Sequence, residues 1–115
     1  MALSIGMITT DTTDALGLAT WWAERLGGTV SDDNDGWFVL VHLPDRVLAF
    51  QKVPDPTPGK NRVHLDLTTD AELDATRDAF LAAGATLVGE REESGFRWVT
   101  LADPDGNQFC VAPGE

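Results

Sequence analysis

Apolar residues recur along the chain in strand-like and helix-like patterns that predict one order of elements twice. Residues 3–10 are apolar and rich in β-forming side chains, which predicts a first strand. Residues 14–26 carry leucines and tryptophans at helical spacing, and the two glycines that follow end this predicted helix. Short strands are predicted next at residues 29–30, 37–43 and 47–53.

The same order begins again after a proline-rich linker at residues 55–60. Residues 62–68 predict a strand, and Thr69 with Glu72 has the spacing of a capping box that opens a helix ending before Gly84. The last three strands are predicted at residues 85–88, 96–102 and 108–112. Both halves are therefore predicted to be β-α-β-β-β.

The two halves also match in register. Residues 26–30 align with residues 83–87 at an offset of 57, and Gly36 aligns with Gly95 at an offset of 59. A duplicated unit of this length predicts two modules that complete each other's sheet. A doubly wound parallel sheet is the alternative, but three consecutive short strands in each half fit it poorly. We predict a single α+β domain, with module one at residues 1–54 and module two at residues 61–115.

The charge and the cysteine content limit the partners and the cellular compartment that we expect. The net charge of −11 argues against nucleic acid and anionic membrane surfaces as partners, and it favours a cationic ligand if carboxylates line a pocket. Acidic clusters within residues 32–35 and 90–93 are expected to be solvated loops. The single cysteine, the lack of a signal-peptide pattern and the lack of a long apolar run lead us to expect a cytoplasmic protein.

Strand alternation groups several polar side chains on one face of the predicted sheets. Arg62, His64 and Asp66 share a face of their strand, and we expect Gln51 and Cys110 to converge with them on one concavity. His64 is either a half-exposed histidine held by Asp66 or Arg62, or a general base. Cys110 is either a small apolar side chain or a weak thiol partner of His64.

Four tryptophans are a high number for this length. At least one of Trp21 and Trp22 on the first helix is expected to lie in the core. Trp37 and Trp98 occupy corresponding strands of the two modules, where they would stack on a flat or cationic ligand. The alternative is that all four fill the core or a dimer interface.

Three segments of the chain resemble the vicinal oxygen chelate superfamily, and within it the small glyoxalase and bleomycin-resistance-like proteins. The segments are residues 11–27, residues 61–67 and the Asp-Pro-Asp-Gly-Asn turn that leads into the last strand at residues 103–110. The resemblance covers essentially the whole chain. It implies a pair of βαβββ modules whose curved mixed sheets surround a cup, commonly in a homodimer.

The resemblance also implies where a metal would bind in relatives that use one. The four positions fall on Met7, Gln51, His64 and Cys110, where many relatives carry histidine in place of Met7 and glutamate in place of Cys110. Such a set suits the divalent ions of the superfamily poorly, because those ions prefer imidazole with carboxylate. We therefore expect no cofactor, and His64, Gln51 and Cys110 are only weak metal candidates.

Three functions remain open at this stage. The first is a binding module that holds an aromatic or cationic small molecule without a metal. Its lining would be His64, Gln51, Cys110, Met7, Asp66, Arg62, Trp37 and Trp98. The second is an enzyme, metal-dependent or assisted by His64, that acts as a lyase, isomerase or dioxygenase on a small oxygenated metabolite. The third is an interaction domain without a ligand. No catalytic residue is assigned, and His64 is the candidate.

Overall fold

The computed structural model describes residues 2 and 4–114, and the described helices and strands follow the order β-α-β-β-β twice. They are β1 Ile8–Thr12, α1 Ala15–Leu26, β2 Thr29–Ser31, β3 Phe38–His42, β4 Val47–Lys52, β5 Asp66–Thr69, α2 Leu73–Ala82, β6 Thr86–Glu93, β7 Phe96–Ala102 and β8 Gln108–Pro113. This confirms the predicted α+β fold of two βαβββ modules. The chain divides into two compact units, Met1–Thr57 and Pro58–Glu115.

Each unit contains one mixed four-stranded sheet. The strand orders are β1-β4-β3-β2 in the first unit and β5-β8-β7-β6 in the second. The first strand of each module runs parallel to the fourth, and the remaining pairs are antiparallel. A parallel pair needs a long connection, so the helix and the two strands between the paired strands supply it.

Helix α1 begins and ends as the sequence predicts. The Asp14 side chain accepts a hydrogen bond from the Gly17 backbone N–H at 3.1 Å, which caps the helix start. Gly27 ends the helix with a φ of 71°, a left-handed conformation that glycine adopts without strain. Trp22 is buried on the face that packs on the sheet, which confirms the expectation of a core tryptophan. No helix in the described part of the chain is long and apolar enough to cross a membrane.

The core of the second unit lies between α2 and one face of its sheet. Phe80 of α2 contacts Phe109 of β8, with their ring centroids 5.1 Å apart. Both side chains are buried, as are Val99, Leu101 and Val111 on the same face of the sheet. Burial of side chains of this size contributes about 1.5–3 kcal/mol each. We call this side of the sheet the helix-covered face.

The acidic cluster at residues 90–93 does not form a loop, so that expectation is wrong. It lies within β6, and Glu90 faces α2 on the helix-covered face. Arg77 of α2 donates to the Glu90 carboxylate at 2.8 Å, and Arg97 of β7 donates to the Asp74 carboxylate at 3.0 Å. Glu90, the residue of the acidic stretch that faces α2, is therefore paired with Arg77 and Arg97.

Asp74 provides a test of this ion-pair network. The Arg97 hydrogen bond and charge, with a smaller contribution from Arg77, lower the pKa of the Asp74 carboxyl. A lowered pKa in the folded state stabilises the fold above the unfolded pKa, and that stabilisation is lost as the pH falls through the folded pKa. Arg97→Gln is therefore expected to raise the pKa of Asp74 towards its ordinary value, as measured by carboxyl NMR titration. Arg46→Gln, in the first unit, serves as the control. An unchanged Asp74 titration in Arg97→Gln would contradict the pairing.

Two strands begin later than predicted. β1 begins at Ile8 and β5 begins at Asp66, and Leu3 lies outside the described residues. Continued backwards, the parallel register places His64 opposite Gln108, the first residue of β8. The backbone N–H and carbonyl of Gln108 are both bonded to the Asn61 side chain, so Arg62 and His64 lie before β5 instead of within it.

The predicted capping box at the start of α2 is also wrong. The N-cap residue is Glu72, and its side chain makes no capping hydrogen bond. The Thr69 hydroxyl instead accepts from the Ala71 backbone N–H at 3.1 Å and bonds the Thr76 hydroxyl at 2.9 Å. Thr69 therefore stabilises the turn before the helix, since a threonine side chain readily bonds a backbone N–H two residues on.

Candidate functional site

One row of residues crosses all four strands of the second unit on the side away from α2. Asp66 pairs with Cys110, Cys110 with Thr100, and Thr100 with Gly89. Paired residues on neighbouring strands point to the same side of a sheet. Gln108, Trp98 and Arg91 lie two positions along their strands and share this side. We call this set the polar face: Asp66, Gln108, Cys110, Thr100, Trp98, Gly89 and Arg91.

Three chemically active side chains meet at the β5 end of the row. His64 Nδ1 lies 3.0 Å from Asp66 Oδ1, so Asp66 rather than Arg62 is the partner of His64. Because a carboxylate oxygen accepts, Nδ1 carries the hydrogen and the other ring nitrogen is left to accept or bind. Donor atoms of His64, Asp66 and Cys110 all lie within 4.8 Å of one another. Cys110 is half-buried, and its Sγ is 3.5 Å from the Thr100 hydroxyl.

Asn61 holds the segment that carries His64. Its Nδ2 donates to the Val63 carbonyl at 2.7 Å and to the Gln108 carbonyl at 3.0 Å, and its Oδ1 accepts from the Gln108 N–H at 2.7 Å. The Asn61 amide thus replaces the strand pairing that is missing before β5. This side chain fixes the approach of His64 to β8, and the sequence analysis assigned it no role.

Arg91 lies at the other end of the row because of a β-bulge. The β6–β7 register shifts between Leu87 and Gly89, so that Gly89 pairs with Thr100 and Arg91 with Trp98. Without the extra residue, Arg91 would point to the helix-covered face. The sequence analysis missed Arg91, Gly89 and Thr100. A glycine inside a strand pattern is the signal that could have indicated the bulge.

The predicted site residues of the first unit lie in or just before three of its strands. Gln51 pairs with Asp11 on one neighbouring strand and with Phe38 on the other. Met7 precedes β1 and is partly exposed. Trp37 precedes β3, is more than half exposed, and has its ring centroid 6.0 Å from that of Phe38. These residues belong to the first unit, whereas the His64, Asp66 and Cys110 group lies in the second.

Trp98 is the tryptophan that the polar face includes. It is half-buried in β7, and its ring centroid lies 6.0 Å from that of Phe96 with 31° between the planes. Trp98 therefore presents part of an aromatic surface beside Arg91 and Thr100. An aromatic face of this kind stacks on flat ligands and costs little conformational entropy on binding.

A separate open cavity of about 530 Å³ lies at the start of α2. Its lining includes Glu72, Asp74, Phe96 and Arg97. None of His64, Asp66 and Cys110 lines it. Asp74 and Arg97 there already pair with each other, as described above.

The His64, Asp66 and Cys110 group can be compared with the needs of a metal ion. Imidazole, carboxylate and thiolate together suit a borderline ion such as Zn²⁺, which binds nitrogen and sulfur as well as oxygen. Mg²⁺ and Mn²⁺ prefer oxygen-rich sites and would gain little from Cys110. The residues present therefore fit a zinc-like ion, and they fit an oxygen-preferring ion poorly.

The pairing of two βαβββ modules, each with a mixed sheet whose first and last strands are parallel, is the architecture of the vicinal oxygen chelate superfamily. Residues 7–112 match the glyoxalase-like domain family. The chain belongs to the glyoxalase-like domain family. No curated protein is significantly similar to the chain in sequence.

Several solved structures share the fold at low sequence identity. A mutant of the fosfomycin resistance protein FosX from Listeria monocytogenes, complexed with Mn(II) and a dihydroxypropylphosphonic acid, is 16% identical with a TM-score of 0.80, over 100% of this chain and 93% of that chain. A glyoxalase/bleomycin resistance protein/dioxygenase family enzyme from Burkholderia phytofirmans is 18% identical with a TM-score of 0.77, over 94% and 96%. Lactoylglutathione lyase from Agrobacterium tumefaciens is 15% identical with a TM-score of 0.70, over 99% and 96%. These similarities establish the fold.

Proposed function

We propose that this glyoxalase-like domain binds a flat small molecule on the polar face of its second module, using its own side chains and no oxygen-preferring metal ion. The observation that carries the proposal is the convergence of His64, Asp66 and Cys110 within 4.8 Å at one end of that face. At long range the net charge of −11 favours cationic ligands, but within the site the nearest charged side chain decides.

Each residue has a distinct role in the proposed site. Asp66 orients the His64 ring, and the ring nitrogen that does not face Asp66 bonds the ligand. Trp98 stacks on the flat part of the ligand, and the Thr100 hydroxyl and Cys110 thiol line the floor between them. Asn61 acts on the ligand only through His64, whose segment it holds.

His64→Ala is the variant that tests this proposal. We expect it to weaken the binding of aromatic fragments about 10-fold or more, because one hydrogen bond to a ligand, worth about 1.4 kcal/mol, is lost. The side chain is 41% exposed, so the free energy of unfolding should change by only about 0.5 kcal/mol. NMR-detected fragment titrations measure the affinities, and denaturant unfolding measures the stability.

His42→Ala is the matched control, since His42 is the other histidine and lies exposed at the end of β3. It should leave every affinity unchanged. The proposal fails if fragments bind equally well to wild type and His64→Ala, or if His64→Ala loses stability without losing affinity.

A second candidate function is a metal-dependent enzyme of the lyase, isomerase or dioxygenase kind. The donor set of His64, Asp66 and Cys110 favours it, and FosX is a structural relative described in complex with Mn(II). A bound ion would supply Lewis acidity to an oxygenated ligand. Metal analysis of protein purified without chelator separates the two candidates: stoichiometric zinc that Cys110→Ser removes supports the enzyme, and absence of retained metal supports the binding module.

The homodimer expected from the resemblance stays a proposal of its own. Large apolar side chains are exposed on the isolated chain, Ile5 and Val63 most of all at 80% and 78%. Single exposed apolar side chains are common on monomers, so the dimer rests on the resemblance and on its test. Sedimentation of the purified chain measures the mass: a value of two chains supports the dimer, and a single-chain mass at high concentration contradicts it.

A further inference from the structure

Arg91 is placed on the polar face by the β-bulge in β6. The bulge between Leu87 and Gly89 turns Arg91 away from α2 and leaves Glu90 pointing towards it. An unbulged strand would exchange the two, and Arg91 would then point towards Arg77 and Arg97 on the helix-covered face. Bulges commonly re-aim a side chain next to a functional site.

Gly89 leaves the space in which the Arg91 guanidinium sits. A Cβ atom on Gly89 would lie 2.5 Å from Nη1 and 2.7 Å from Cζ of Arg91. The guanidinium therefore lies over the backbone of Gly89, directly beside Thr100 in the row. Any larger residue at position 89 would displace it, so the glycine and the arginine act as a pair.

The Arg91 guanidinium has its charge uncompensated at short range. Among residues 2 and 4–114, no carboxylate lies within ion-pair distance of it, whereas the Arg97 guanidinium bonds both Asp74 and Glu90. The two arginines are near neighbours on β6 and β7, so the contrast arises from the face each occupies. Glu93 also lies on the polar face, two residues after Arg91 and at the C-terminal end of β6.

We propose that Arg91 anchors an anionic group of the ligand, so that the polar face binds a flat molecule bearing a carboxylate, phosphonate or similar group at one end. This inference rests on the proposed function and names the class of ligand. Two N–H donors of one guanidinium can bond two oxygens of such an anion at the same time. The anion would meet the guanidinium and the Thr100 hydroxyl beside it.

The spacing of the row sets the size of this ligand. Neighbouring strands are about 4.8 Å apart, so Gly89 and Cys110, two strands apart, are separated by roughly 10 Å. With a hydrogen bond of about 3 Å at each end, a single aromatic ring with its anionic group fits between them, beside Trp98. The overall charge of −11 disfavours anions at long range, but salt screens it beyond about 8–10 Å, so the nearest charge decides.

The test compares matched probes of different charge. Phenylphosphonate and benzoate are titrated into ¹⁵N-labelled protein beside benzamide, which has the same ring without the charge. We expect the anions to bind at least about 10-fold more tightly than benzamide. Arg91→Gln should remove this preference while leaving the benzamide affinity unchanged. Gly89→Ala should weaken anion binding in the same direction, because it displaces the guanidinium.

Arg97→Gln is the matched control, since it removes a guanidinium from the helix-covered face of the same strand pair. It should retain the anion preference. Equal binding of anions and benzamide, or an anion preference that survives Arg91→Gln, would overturn the Arg91 anchor while leaving binding at the polar face intact. If no probe perturbs the amides of Asp66, Thr100 and Cys110, the proposed function fails and the anchor fails with it.

Discussion

Phe109→Ala is expected to lower the free energy of unfolding by about 3–5 kcal/mol, which is a large part of the stability of a small domain. The Phe109 side chain is 1% exposed and packs on Phe80, so its removal leaves a cavity between α2 and the sheet. The substitution should also disturb the candidate site, because Cys110 is the next residue along β8. Urea or guanidinium unfolding measures the effect.

Phe96→Ala is the matched control for this prediction. Phe96 lies in the neighbouring strand β7 and is 53% exposed. Its replacement should cost about 1 kcal/mol or less, since little apolar area is returned to water. Equal losses in the two variants would contradict the assignment of the core to the helix-covered face.

Asn61→Ala is expected to have the second largest effect, a loss of about 2–3 kcal/mol in unfolding free energy. Three hydrogen bonds to the Val63 and Gln108 backbones are removed, each worth about 0.5–1.5 kcal/mol net. The segment before β5 should then detach from β8 and carry His64 away from Asp66. NMR of the imidazole nitrogens would show this as the loss of a single Nδ1–H form, and denaturant unfolding gives the stability.

Asn61→Asp separates the two halves of that interaction. Aspartate keeps the acceptor for the Gln108 N–H but sets a charged oxygen against the Val63 and Gln108 carbonyl oxygens, so at neutral pH it should be no more stable than Asn61→Ala. If Asn61→Ala leaves the His64 ring signals unchanged, Asn61 does not position His64.

Local patterns were sufficient for most elements of the fold. The helix from Asp14 to Gly27 and the strand β7 follow from capping residues and alternation, which depend on near neighbours in sequence. The start of β5 does not, because the Gln108 backbone opposite His64 is bonded by the Asn61 side chain, which lies 47 positions away in sequence.

The candidate site shows the same division between local and distant causes. The grouping of His64 with Asp66 was predicted from a shared strand face, yet His64 lies before the strand and is held there by Asn61. The bonds of Asn61 reach a residue 47 positions away, which no local pattern reveals. Arg91 was missed because the predicted strand ended at residue 88, whereas β6 continues through the acidic stretch to Glu93.

The most direct test of the account is the amide footprint of a bound fragment on the assigned ¹⁵N spectrum of the whole chain. The account predicts that the perturbed amides of the second module cluster along the row, at Asp66, Cys110, Thr100 and Gly89, with Trp98 beside it. Perturbations confined to the cavity at the start of α2, around residues 71–74 and 95–97, would contradict it and move the binding site to the other side of the sheet.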